Sequence, residues 1–260
     1  MYHRYERYGS PPIFLYEYQP SRKKEMPREF LKDYKGILMT DGYQVYHSLA
    51  NERPDELKVA GCWAHAKRKF AEIIKSVGAK TANGMIASEA VKRISTIYHV
   101  DNMYKDASTK ECLDNRKQSV KPLVDAYFAW LKSLQAETSI DQGSKTYKAI
   151  NYSINQEQYL RAFLEDAIIP LDNNDAERSI KAFCVGKHNW HIVDSKNRAK
   201  ASGMLYSIAE TAKANGLKPY EYFKYLLEQL LIHQEDALDT YVGNIVPWSE
   251  NLPDICRKQK

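Results

Sequence analysis

Short apolar runs alternate with amphipathic stretches through the first quarter of the chain. Residues 11–19, PPIFLYEYQ, are aromatic and β-branched in character and predict a strand. The turn-forming stretch PSRKKEMP follows, and Phe30 and Leu31 then predict a short helix closed by Gly36. In GILMTDGYQVY (residues 36–46) the run Ile37, Leu38, Met39 predicts a second strand that stops at Asp41. LKVAGCW (residues 57–63) predicts a third. Residues 1–65 thus alternate strand, helix, strand, helix, strand, which is α/β patterning.

After His65 the period changes from two to about 3.6. Phe70, Ile73, Ile74 and Val77 form one helical stripe, with Gly78 as its C-terminal cap. Ile86, Ala90, Ile94 and Ile97 form another, and Leu123, Tyr127, Trp130, Leu131 and Leu134 a third. Residues 66–165 therefore read as a helical insertion without strands. AIIPLDNNDAERSIKAF is expected to resume the α/β part. Leu205, Ile208, Ala209 and Ala212 stripe one later helix; Phe223, Leu226, Leu227, Leu230 and Leu231 stripe another that starts at Pro219. The tail from about 236 is expected as an extended arm.

Charge adds a location. The 38 basic and 33 acidic residues leave a net charge of +5. Six basic residues (Arg178, Lys181, Lys187, Lys196, Arg198, Lys200) and one acid, Asp194, lie between Arg178 and Lys200, so this segment carries the equivalent of the whole excess. A local basic stripe suits either a polyanion partner or a solvated surface. The four cysteines lack paired spacing and fit a reducing compartment. No run reaches the roughly 20 apolar residues of a membrane span, and the N-terminus has no apolar signal core, which suits a soluble intracellular protein.

Two acids stand out. Asp41 lies just past a strand end, where α/β folds place working groups; an Asp-Gly turn is the structural alternative. Glu177 falls three residues after Asn174, the capping-box offset, and Arg178 and Lys181 follow on the same helix. It reads either as a helix cap or as a functional acid in a first turn.

Taken in order, TDGYQVY, GCWAHAKRKF, PLDNNDAERSIK, GKHNW, YSIAETAKANGLKPYEYF and VPW resemble the transposases of the insertion sequence sixty-six type over nearly the whole chain. The resemblance implies a DDE transposase with a ribonuclease-H-like core, a mixed sheet flanked by helices and interrupted by a large all-helical insertion. It implies a division into residues 1–65 and 166–235 as core, 66–165 as insertion and 236–260 as a C-terminal arm. It implies three acids holding two divalent ions, Mg²⁺ or Mn²⁺, with Asp41 and Glu177 as catalytic metal ligands. Mg²⁺ prefers carboxylate oxygens, and paired ions offset the repulsion between such acids. DNA, both element ends and target, is the implied partner. A homodimer is implied for the complete enzyme, in the bacterial cytoplasm and away from membranes.

The resemblance places the first catalytic Asp on a strand upstream of MYHRYERYG, with Met1–Tyr5 as the second core strand. The chain is accordingly expected to lack the first strand, as a truncated frame, a fragment or an inactive relic. Two rival readings follow: a non-catalytic DNA-binding remnant, and a metal-dependent nuclease that uses Glu17 instead. Asp33 is the other nearby acid, and Glu210 is the runner-up for the helical acid.

Cys62 and His65 form C-x-x-H, half of a zinc site, with Cys184 and His188 as a weak second half. The resemblance offers instead a position for His65 near the active site; a buried cysteine with a hydrogen-bonded histidine is the structural alternative. Lys67, Arg68 and Lys69, with Arg178, Lys181, Lys187 and Arg198, are candidates to line a DNA groove. Trp190 and His191 are candidates to stack on a base, with a core role as the alternative for Trp190.

Overall fold

The computed structural model describes residues 2–5, 10–137, 139–190, 193 and 195–259. It is mostly helical, and two strand pairs are found among the described residues. β1 (Tyr2–Tyr5) and β2 (Ile13–Tyr16) are antiparallel; β3 (Gly36–Thr40) and β4 (Leu57–Gly61) are parallel. Of the mixed sheet expected from the sequence, the described residues show these two pairings, one antiparallel and one parallel. The chain forms two units, one of residues 23–174 and one of Met1–Arg22 with Asp175–Lys260.

In the first unit, α1 (Glu25–Phe30) precedes β3, and α2 (Gln44–Glu52) connects β3 to β4. The strands are covered on both sides. Leu57 and Val59 of β4 join Leu31, Leu49 and Ala50 on one face. Ala60, with Ile37 and Met39 of β3, turns to a larger helical core on the other. This alternation along an extended backbone gives each face its own hydrophobic layer.

That larger core is built by α3 (Trp63–Val77), α4 (Ile86–Asn102), α5 (Thr109–Asn115), α6 (Lys121–Ala136), α7 (Lys145–Asn155) and α8 (Glu157–Leu160). Gly78 caps α3 as its sequence suggests. The apolar stripes of α3, α4 and α6 meet in it through Phe70, Ile94, Ile97, Tyr127 and Leu131. Between α5 and α6 a π-helical turn, Arg116–Val120, carries the buried Arg116. Its guanidinium forks onto Asp101 at 2.8 and 3.2 Å and also donates to the Phe163 and Asp166 carbonyls, both at 2.7 Å. All of these acceptors are needed, because a buried charge is tolerated only when paired and hydrogen-bonded. The stretch 166–173 contains no strand among the described residues. Pro170 and the Asp-Asn run that follows disfavour a ladder, and the segment is instead an irregular strap that buries Ile169 and Leu171.

In the second unit, α9 (Asn174–Trp190) leads to α10 (Lys196–Ala214), α11 (Pro219–Ile232) and α12 (Leu238–Ile245). The face of α10 that meets β2 is not its apolar stripe. Gly203, Ser207, Thr211 and Asn215 recur every four residues and run along the strand. Ser207 Oγ accepts from the Tyr16 N–H at 2.8 Å, Thr211 Oγ1 accepts from the Phe14 N–H at 3.0 Å, and Asn215 donates to the Pro12 carbonyl at 3.0 Å. Helix side chains thereby satisfy backbone groups along β2. Leu205, expected in the core, is 54% exposed. Likewise α11 buries Tyr222 with Tyr225 and Leu226, while Leu227 and Leu231 lie exposed. The tail expected as an extended arm contains α12, where Leu238, Tyr241, Val242 and Ile245 follow helical spacing and Tyr241 and Ile245 are buried.

A Cβ at Gly203 would stand 2.7 Å from the Tyr16 carbonyl oxygen, a backbone atom that cannot swing aside. Gly203→Ala is expected to destabilise this unit by about 1–3 kcal/mol through overpacking, despite the better helix propensity of alanine. Urea denaturation checks it; an unchanged or raised midpoint would contradict the close contact.

Candidate functional site

Parallel pairing brings the carboxyl ends of β3 and β4 to one edge, the usual place for chemistry in α/β architectures. Thr40 lies opposite Gly61, and the Cys62 N–H extends the ladder to the Thr40 carbonyl at 3.1 Å. Asp41 and Cys62 therefore leave the strands at the same edge.

Asp41 is exposed at the head of a tight turn. Its Oδ1 accepts the Tyr43 N–H at 3.2 Å, and its carbonyl accepts the Tyr152 hydroxyl of α7 at 2.9 Å. Gly42 follows with φ +88°, a left-handed conformation that favours glycine. Burial pushes the Tyr152 hydroxyl up to about 12, with Asp41 and Cys62 adding to the effect. Burial, helped by Asp41, also raises Tyr46. His47, stacked on Tyr159 with ring centroids 3.8 Å apart, is lowered by burial, and Asp41 opposes that shift.

The Cys62–His65 spacing is the first turn of α3. Cys62 is its N-cap residue, and the His65 N–H bonds the Cys62 carbonyl at 3.2 Å. Burial pushes the Cys62 thiol up, opposed by backbone N–H groups of Asn173, His65 and Ala64. One turn on, Arg68 Nη1 lies 3.4 Å from His65 Nε2. Lys67 sits 5.7 Å from the Tyr98 ring centroid and Lys69 4.3 Å from that of Tyr152, so α3 presents its cations over aromatic faces. A groove of about 310 Å³ runs beside them, lined by Ala64, Lys67, Arg68, Ala71, Tyr98, Asp172 and Asn174. Tyr98 donates to Asp172 Oδ2 at 2.8 Å, and Asp172 Oδ1 accepts the Asn174 N–H at 3.0 Å. The Tyr98 hydroxyl is raised by burial first and by Asp172 second.

In the second unit, α9 begins at Asn174, so the cap position is Asn173 and the capping-box position three residues later is Ala176. Glu177 is half-buried on the next position, and Arg178 and Lys181 are exposed one turn apart. Helix α10 starts from Ser195, whose hydroxyl accepts the Arg198 N–H at 3.3 Å. Its exposed opening residues include Lys196, Arg198 and Lys200, and no acid occupies its first turn. Cations at a helix N-terminus oppose the macrodipole, so this end favours a bound anion. Glu210 pairs with Lys213 at 2.6 Å along α10. The side chains of Lys187, His188 and Trp190, and all of His191 and Asp194, lie outside the described residues.

The model of the Transposase IS66 family matches residues 1–201, and that of the IS66 C-terminal element matches residues 207–240. The chain belongs to the IS66 transposase family. Relatives in Sinorhizobium fredii include the uncharacterized proteins y4hP and y4jD, 29% and 28% identical, each aligned to 92% of this chain. A third, y4qI, is 29% identical over 85% of the chain. The chain covers 44%, 46% and 41% of their respective lengths, so it spans less than half of these relatives. No solved structure gives a significant match.

In this IS66-family chain, Asp41, His65, Lys67 and Arg68 belong to the first unit, and Glu177, Arg178, Lys181 and Arg198 to the second. The reading of the sequence missed Tyr152, Gln156, Tyr98 and Asp172, which surround the Asp41 and α3 edge. No local signal marks them: Tyr152 is 111 residues from the carbonyl it binds. No helix among the described residues is long and apolar enough to cross a membrane.

Cysteine reactivity tests this placement. Cys62 and Cys256 are buried with raised thiols, whereas Cys184 is exposed. Iodoacetamide at pH 8 is expected to modify Cys184 at least about tenfold faster than Cys62 or Cys256 in the folded chain, because the thiolate is the nucleophile. Urea is expected to equalise them. Equal rates without urea, by peptide mass spectrometry, would contradict the burial of Cys62.

Proposed function

We propose that this chain is the catalytic region of an IS66-type transposase, acting on the DNA of element ends and target. The observation that carries this reading is Asp41, an exposed carboxylate at the end of a parallel strand within the segment matched to the family. In this reading the strands belong to a ribonuclease-H-like core, with residues 1–65 and 166–235 as core, 66–165 as the helical insertion and 236–260 as the arm. The complete enzyme is a homodimer on paired DNA ends in the bacterial cytoplasm.

Asp41 suits a hard divalent cation. It offers carboxylate oxygens to solvent, and among the described residues no cation pairs with it. Asp41 and Glu177 are the ligands in this reading, for Mg²⁺ or Mn²⁺. When bound, such ions supply positive charge to the attacking and leaving oxygens of a phosphodiester. Arg178, Lys181, Lys187 and Arg198, with Lys67 and Arg68, neutralise and position the phosphates. His65, beside Arg68, orients that guanidinium toward the backbone. In the first reaction a water oxygen joins phosphorus, and the 3′ oxygen leaves with a proton. In the second, that 3′ hydroxyl attacks a target phosphodiester, forming a new bond to phosphorus and releasing a target 3′ hydroxyl.

The test is cleavage of labelled element-end DNA in Mg²⁺ or Mn²⁺. Asp41→Asn and Glu177→Gln are each expected to lower the rate at least about 100-fold, with the melting temperature little changed. Cleavage that survives both changes would sink the assignment. Binding without cleavage by the unaltered chain would favour the DNA-binding remnant instead.

Basic residues are tested separately. Replacing Arg178 and Arg198 by glutamine is expected to make the slope of log binding constant against log salt shallower by about 2, similarly for unrelated DNA sequences. An unchanged slope would remove both from the phosphate contacts.

A further inference from the structure

The turn that carries Asp41 is held from the helical core, by a residue far away in sequence. The Tyr152 hydroxyl donates to the Asp41 carbonyl at 2.9 Å. Directly beside it, a Cβ at Gly42 would lie 3.0 Å from Tyr152 Oη and 3.1 Å from Gln156 Oε1. The chain thus passes beneath two side chains of α7 and its C-terminal end with no room to spare. Gln156 is itself buried, and its backbone N–H bonds the Tyr152 carbonyl at 3.0 Å, which ties the two side chains to one turn. On its other face the Tyr152 ring meets Lys69, whose ammonium lies 4.3 Å from the centroid. The ring is therefore fixed from α3 while its hydroxyl fixes the turn.

Asp41 has few other restraints. Its side chain accepts one N–H, from Tyr43 two residues on, at 3.2 Å, and the carboxylate is exposed. A carboxylate on a turn needs an outer contact to point consistently, and outer contacts tune metal affinity by about 10–100-fold.

We propose that Tyr152 is a positioning residue for Asp41: through its hydroxyl, the helical core sets the direction in which Asp41 presents its carboxylate to a divalent cation. This rests on the reading of Asp41 as a metal ligand. Tyr152 touches neither the ion nor the DNA in this role. Its effect passes through the Asp41–Gly42 backbone.

The test measures Mn²⁺ affinity of the full chain by the paramagnetic signal of the free ion, with no DNA and no turnover. Tyr152→Phe removes only the hydroxyl and keeps the ring for Lys69. It is expected to weaken Mn²⁺ binding about tenfold and to speed hydrogen exchange at the Tyr43 amide. Tyr222→Phe, which removes a buried hydroxyl that donates to the Ile245 carbonyl in the other unit, is expected to leave both unchanged. Asp41→Asn separates the two claims. If it weakens binding and Tyr152→Phe does not, the positioning role is overturned and the ligand stands. If Asp41→Asn leaves affinity unchanged, both fall. Should Tyr152→Phe not fold, Gly42→Ala strikes the same contact from the other side and is expected to weaken Mn²⁺ binding similarly; unaltered affinity there overturns the proposal.

Discussion

The unit of residues 23–174 depends on how Trp63 is held. It is the first residue of α3, immediately beyond the strand edge that carries Cys62, and it is fully buried. Its indole N–H donates to the Leu160 carbonyl at 2.8 Å, and its backbone N–H donates to the Leu171 carbonyl at 2.9 Å. The ring packs among Tyr127, Phe128 and Phe163, with centroids 5.6–6.2 Å away. One residue thus ties β4, the helical core and the strap that leads to α9. Loss of such a buried aromatic typically costs about 3–5 kcal/mol. Here it would also release the start of α3, with His65, Lys67 and Arg68 on it.

This arrangement makes the helical segment part of the candidate site rather than a decoration. The helices supply Tyr152 and Gln156 to the Asp41 turn, Tyr98 to Asp172, and Leu160 to Trp63. Arg116 contributes at a distance: its buried fork onto Asp101 fixes the end of α4, and its bonds to Phe163 and Asp166 fix the strap. Charge follows the same division of labour. Buried charges are paired within the fold. Arg178 and Lys181 of α9 and Lys196, Arg198 and Lys200 at the start of α10 stand exposed.

Much of this was legible beforehand. The strand ending before Asp41, the helical run from 66 to 165 and the family came directly from apolar spacing and long motifs, because each reflects local sequence. The apolar stripe of α10 packs a core with α11 through Ile208 and Ala212 but does not mark the face that meets β2. Its docking face is written in Gly203, Ser207 and Thr211, and hydroxyls on a helix read as solvated until a strand lies against them. The capping-box reading of Glu177 depended on a helix start one residue later than the actual one. The helical signal of α12 is weakened by Gly243 and by the Asp and Pro residues around it, so its sequence reads as an extended tail.

The sequence by itself determined the family and most of the helices. These are properties of neighbours along the chain, and short-range sterics and apolar period express them. Only the tertiary structure decided that β1 pairs antiparallel with β2 and β3 parallel with β4. It also placed the Cys62–His65 spacing at a helix cap and settled a tyrosine of α7 on the turn of Asp41. Those are contacts between residues up to 111 positions apart. Packing selects them, and no local pattern encodes which distant hydroxyl meets which carbonyl.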